Sequence, residues 1–273
     1  MNAMPVLFSS IVILLFSMIV AIIGNVIGIG GGIMLLPFFI FYLHLNSIIA
    51  TGLSLFTIVL STIGGTFAFI RQKTINYKLF LIIISLIIPG VIIGSIVNKF
   101  VNTQEFKEIL PIWVISIGTF SLITAKKQPL KNFNNINNSE NDPIKRNKLT
   151  SLVSFISGFV SGFFGVGIGA IMGTYLVVVE EISARVAFST LIMVMTITSL
   201  FGFLAHYESA GLDLTSWIIY LIPLSLGAIL GSQIGAYISK ISNIKTLRLY
   251  QGYIILSLGI SLLIVNILNI IKV

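Results

Sequence analysis

Cysteine is absent from this chain. That excludes disulfides, thiolate metal sites and cysteine nucleophiles together. Charge is almost as scarce: 9% of the 273 residues are Asp, Glu, Lys or Arg, against 56% hydrophobic. A soluble domain carries about 25% charged residues, so this composition belongs to a polytopic helical membrane protein. The apolar runs are continuous and not alternating, which argues against a transmembrane barrel. The eight acidic residues, Glu105, Glu108, Glu140, Asp142, Glu180, Glu181, Glu208 and Asp213, all map to loops or segment ends. Carboxylates in mid-membrane mark cation and proton pathways, and their absence disfavours a cation route through a carboxylate relay. No phosphate loop and no His-Glu-x-x-His occurs, so neither nucleotide hydrolysis nor zinc chemistry is expected. Serines are numerous, but no plausible base is expected in the core to activate one. The chain is read as no enzyme, with no catalytic residue, no metal site and no cofactor.

The net charge of +8 does not indicate nucleic acid, because the basic residues crowd the loops of one membrane side. Residues 1–10 hold no Lys or Arg, so the first apolar segment lacks the basic start of a cleaved signal and is read as retained.

A glycine motif occurs twice. The first copy runs Gly24-Asn25-Val26-Ile27-Gly28-Ile29-Gly30-Gly31-Gly32, the second Ser161-Gly162-Phe163-Phe164-Gly165-Val166-Gly167-Ile168-Gly169. A shift of 137 positions lays Gly28, Gly30 and Gly32 on Gly165, Gly167 and Gly169. Without a gap, Gly65 then meets Gly202, and Gly90, Gly94 and Ser95 meet Gly227, Gly231 and Ser232. Apolar runs give about five helical segments per half. They cover 5–28, 31–45, 48–70, 77–98 and 108–125, then 149–165, 168–181, 186–206, 215–239 and 246–270. Three regions follow: a membrane repeat over 1–125, a polar, Asn-rich cytoplasmic linker over 126–148, and a second repeat over 149–273.

The second segment of each half is short. Some 15 residues reach only about 22 Å, less than a hydrocarbon core of about 30 Å. Segments one and two are therefore expected to form a hairpin broken at the glycines. The architecture is eight full spans plus two hairpins, or ten segments. With that parity, thirteen Lys and Arg residues fall on one side and three, Lys99, Lys107 and Lys272, on the other. A single broken span in place of each hairpin divides them ten to six. The positive-inside rule favours the hairpins, with both termini outside. An odd number of segments makes the halves inverted repeats in an all-α, multi-pass protein of the plasma membrane. Arg71 aligning with Glu208, and Asn76 with Asp213, suits equivalent loops that face opposite sides.

Glycines in this pattern have two uses. They let helices approach closely, or they open a helix break whose amide N–H groups cradle an anion. Duplication in both halves favours the second use. Candidate substrate-binding residues are Asn25, Gly28, Gly30, Gly31 and Gly32 in the first hairpin and Gly165, Gly167 and Gly169 in the second. The third segments add the hydroxyls of Thr51, Ser54, Ser189 and Thr190, which either donate to an anion or bond to their own helix carbonyls. Ser95, Ser232 and Gln233 are weaker candidates. His44 and His206 are read as outer-surface residues, and Arg185 as a helix-end residue pairing with Glu181. Trp113, Trp217 and Tyr77 fall near span ends, as interfacial anchors or as packing residues. Pro89 and Pro223 lie inside spans and are expected to kink them.

With Gly28-Ile29-Gly30-Gly31-Gly32, Pro37, Ala50-Thr51-Gly52-Leu53-Ser54, Arg71 to Lys78, Gly90, Gly94, Ser161 to Gly169, Gly227 and Gly231, the chain resembles the TauE/SafE sulfite exporter family. That family is also called the toluene-sulfonate uptake permeases. The second half departs from the pattern at Ile168, at Thr174 in place of a proline, and at Phe188-Ser189-Thr190. The resemblance implies a permease for a small anion, sulfite or an organosulfonate. A potential negative inside drives such an anion outward, so export is the expected direction. A carrier for another solute or a metal ion, and a membrane protein without transport, stay open as alternatives, as does a homo-oligomer.

Overall fold

The computed structural model describes residues 3–28, 30–127, 148–211, 214–241 and 244–271. Among these the chain is helical and without strands. The first half holds α1 (Ala3–Ile27), α2 (Gly32–Pro37), which continues as a π-helical turn (Phe38–Tyr42), α3 (Ser47–Arg71), α4 (Tyr77–Phe100) and α5 (Thr103–Lys127). The second holds α6 (Lys148–Phe164), α7 (Gly169–Val178), α8 (Ala184–Ala210), α9 (Leu214–Ile241) and α10 (Ile244–Ile271). The linker expected at 126–148 falls almost wholly on residues 128–147, outside the described residues.

Among the described residues, five stretches are long and apolar enough to cross a bilayer: Ser47–Arg71, Tyr77–Phe100, Thr103–Ala125, Ala184–Ala210 and Tyr220–Ile238. Their outward faces carry large apolar side chains such as Phe67, Leu81, Phe100 and Ile112. Many serines and threonines lie inside. That is the arrangement of a protein whose solvent is lipid: hydrocarbon outside, hydroxyls within.

Helix starts follow from capping. Asn46 accepts from the Ile49 N–H at 2.9 Å and Asn76 from the Leu79 N–H at 3.0 Å, satisfying donors that the first helical turn leaves free. Asn102 accepts from the Glu105 N–H at 2.8 Å, while Glu105 accepts from the Asn102 N–H at 3.4 Å. This reciprocal pair extends α5 five residues before the expected start at 108, because its polar first turn is a cap and not a loop.

Both expected hairpins fold back on themselves. In the first, Phe38 stacks on Phe16 at 4.2 Å, and a Cβ placed on Gly31 would stand 2.7 Å from the Val20 side chain. In the second, Thr150 meets the Tyr175 hydroxyl at 3.0 Å and Ser154 donates to the Met172 sulfur at 3.8 Å. Each short helix thus runs antiparallel to the long one before it.

The halves interlock. α1 packs on α9, α4 on α6, α3 on α8 and α5 on α10. Under the 137-residue shift α1 becomes α6 and α4 becomes α9, so the first two pairings are one contact made twice. Gly90 and Gly94 of α4 lie against Phe155, Phe159 and Phe163 of α6, and Gly158 and Gly162 of α6 lie against Ile87 and Val91. Gly227, Gly231 and Gly235 of α9 lie against Leu14, Met18 and Ile22 of α1 in the same rising order. Both pairs are parallel, with backbones in contact where no side chain intervenes. By contrast α3 and α8 are antiparallel: Gly52 faces His206, Leu55 faces Gly202, and Thr66 meets Thr196 at 3.0 Å. α5 and α10 also run oppositely, with Gly118 against Leu256 and Lys107 O accepting from Asn266 at 3.2 Å.

Candidate substrate site at the glycine elbows

The bends of the two hairpins meet. A Cβ added to Gly30 would stand 3.4 Å from the Gly167 Cα, and one added to Gly32 would stand 2.5 Å from the Gly165 carbonyl oxygen. Ile58 of α3 and Met195 of α8 pack beside the crossing. Gly28, Gly30 and Gly31 have φ of +80°, +81° and +74°, and Gly165 has +64°. A side chain is strained in that region. Glycine is required twice over, by backbone conformation and by the approach of the two chains.

Donor side chains hold the elbow carbonyls of the second hairpin. Ser54 of α3 donates to Gly165 O at 2.5 Å, and Ser161 to Val166 O at 2.6 Å. One turn earlier, Asn98 of α4 donates to Phe163 O at 2.7 Å, and Ser95 donates to Gly162 O at 3.5 Å. The carbonyls of Gly162, Phe163, Gly165 and Val166 are therefore spoken for. The N–H groups are not: among the described residues, those of Gly167, Ile168, Gly169, Ala170 and Ile171 make no hydrogen bond. Apart from half-buried Ile171, these residues are buried. Buried orphan N–H groups are rare in native proteins. A cluster of them at the start of a ten-residue helix is a concentrated positive dipole end.

The expected site residues divide accordingly. Gly30, Gly32, Gly165, Gly167, Thr51 and Ser54 converge at the crossing, with Gly169 two residues on at the start of α7, and the Thr51 Cα, carbonyl and methyl all lie against Gly165. The Thr51 hydroxyl is buried without a partner. Gly28 faces the Phe188 ring and Gly31 faces Val20, at the flanks of the bend. Asn25 lies buried in α1 before the elbow. Its Nδ2 donates to Ala21 O at 2.9 Å, and its Oδ1, without a partner, faces Gly65. Ser189 and Thr190 go elsewhere. Ser189 donates to Thr74 O at 2.7 Å and Thr190 accepts from the Asn76 N–H at 3.0 Å, so both tie the start of α8 to the α3–α4 turn. Ser232 bonds within its own helix.

His206 corrects the sequence reading. It is fully buried, and its Nε2 stands 2.8 Å from Gly162 O. Its spacing from Ser199 and Gly202, seven and four residues earlier, is the available signal, since ionisable residues in spans face the bundle interior. His44 is exposed, as expected. Trp217 proves to be a packing residue, 1% exposed against Phe203, Tyr207 and Gly52. Trp113 stacks on Phe164 at 4.6 Å.

The family model for the sulfite exporters TauE/SafE matches residues 13–262, a span that takes in both hairpins. The chain belongs to the TauE/SafE sulfite exporter family. Among its relatives is the probable membrane transporter protein YunE of Bacillus subtilis, 26% identical over 270 residues, covering 93% of this chain and 97% of that one. A probable membrane transporter protein of Methanocaldococcus jannaschii is 25% identical over 269 residues, covering 92% and 94%. One from Haemophilus influenzae is 26% identical over 220 residues, covering 76% of each chain. No solved structure matches. Membership of the TauE/SafE family makes the protein a multi-pass membrane transporter, not an enzyme.

Proposed function

We propose that the protein is a permease for small anions, with sulfite or an organosulfonate as substrate, bound where the two glycine elbows cross. The observation that carries this reading is the set of unpaired N–H groups at the second elbow, whose neighbouring carbonyls are already occupied by Ser54 and Ser161. Such a site offers donors without a fixed positive charge, which suits an anion that must leave as readily as it binds. The family's description as sulfite exporters supports a sulfur oxyanion over other anions of similar size.

In this reading the halves are inverted membrane repeats that alternate around the crossing. A potential negative inside favours outward movement of a monovalent anion by about 2.3 kcal/mol per 100 mV, hence export. Purified protein in liposomes tests this. Sulfite is expected to leave vesicles held negative inside, and to stabilise the detergent-solubilised protein against heat. Movement of a metal cation or a neutral solute, with sulfite excluded, would overturn the reading.

A further inference from the structure

We infer that His206 is the proton-accepting group of the anion site, its Nδ1 taking a proton from water when an anion occupies the second elbow. This rests on the anion-permease reading above. Among the described residues, His206 is the one buried side chain able to carry positive charge. A carbonyl only accepts, so Nε2 holds the hydrogen that it shares with Gly162 O at 2.8 Å. Nδ1 is then a bare acceptor, buried and without a partner.

Two features connect the imidazole with the site. Gly162 lies in the last turn of α6, three residues and about 4.5 Å along the axis before Gly165. His206 also packs against Gly52, next to Thr51, which itself covers Gly165. Protonation converts Nδ1 from acceptor to donor, the kind of group an oxyanion needs. The imidazolium would also sit at a helix C-terminus, where positive charge is favoured.

Among the described residues nothing else nearby can neutralise the charge. The charged residues on the helices packed against α8 are Arg71 on α3, Lys78 and Lys99 on α4 and Lys148 on α6, all exposed and all basic. Tyr175 on α7 is engaged with Thr150 and Glu180. α9 brings Tyr220 and Tyr237, and α8 itself carries Arg185, Tyr207 and exposed Glu208. Among the described residues no carboxylate faces the imidazole, so a buried imidazolium finds no counter-charge there until the anion arrives. Anion and proton are therefore expected to bind together.

The chain has two histidines, so His44→Gln leaves His206 as a single imidazole to follow by 15N NMR in micelles. Its titration midpoint should rise by about one pH unit when sulfite saturates the protein, a coupling of roughly tenfold. Reciprocally, sulfite affinity should gain about tenfold on acidification beyond what the ionisation of sulfite itself supplies, and His206→Gln should lose that extra gain. A merely structural histidine would lower affinity equally at every pH. A midpoint that bound sulfite leaves unmoved, or a His206→Gln protein with the wild-type pH profile, overturns the proposal while leaving the permease reading intact. Absence of any sulfite-induced thermal stabilisation in the wild type defeats the anion reading first, and this inference with it.

Discussion

At the scale of single residues, the elbow crossing is a contact between backbones, so the smallest side chain is a meaningful perturbation. Gly32→Ala places a methyl 2.5 Å from the Gly165 oxygen and 2.9 Å from the Val166 Cα. Backbone cannot swing aside as the end of a side chain does, so the hairpins must separate. Overpacking of this kind costs about 1–3 kcal/mol. Ser54→Ala acts on the same oxygen by the opposite route. It opens space but leaves the Gly165 carbonyl buried and unpaired, at about 1–3 kcal/mol. Both variants should lower the thermal midpoint in detergent, and Gly32→Ala should reduce sulfite movement in liposomes at least tenfold. A Gly32→Ala protein that moves sulfite at the wild-type rate would mean that the crossing is packing alone.

At the scale of helices and hairpins, the glycine ladder between α4 and α6 is one of the contacts that fasten one half to the other. Gly158→Val drives a branched side chain into the Ile87 backbone, whereas Ser257→Val points outward from α10 into lipid. The first should lose about 1–3 kcal/mol in denaturant unfolding in micelles, the second close to nothing. Equal losses would mean that the α4–α6 contact contributes little. The same scale explains what the sequence could reveal. The helices among the described residues were legible because apolar runs end at polar loops or break at glycines, and α5 was misjudged by five residues because a capping box resembles a loop. The elbows were legible because both copies carry them. Asn98 and His206, which hold the carbonyls before the second elbow, were not. They align with Gly235 and Phe69, so a search for what the halves share passes over them. Ser189 and Thr190, expected as substrate donors, bond to the α3–α4 turn. Their position opposite Gly52 and Leu53 in the repeat says nothing of which helix face they occupy, and that face meets the α3–α4 turn.

At the scale of the whole molecule, the antiparallel packing of α3 on α8 fixes the relation between the halves. These helices are equivalent under the 137-residue shift, yet the residues that touch run in opposite order from Gly52 with His206 to Thr66 with Thr196. The end of α3 and the end of α8 must therefore open toward opposite faces of any membrane that both cross. By the positive-inside rule, the distribution of Lys and Arg predicts the end of α3 inside and the end of α8 outside. A chain without cysteine lets this be read without background. Gln72→Cys, just past α3, and its counterpart Ser209→Cys, in the last turn of α8, should label from opposite sides in intact cells. An impermeant maleimide should reach Ser209→Cys directly and Gln72→Cys only after permeabilisation. Labelling of both from one side would leave α3 and α8 unable to span the bilayer as packed. An alternating-access mechanism built on opposed halves would then lose its geometric basis, whatever solute the protein carries.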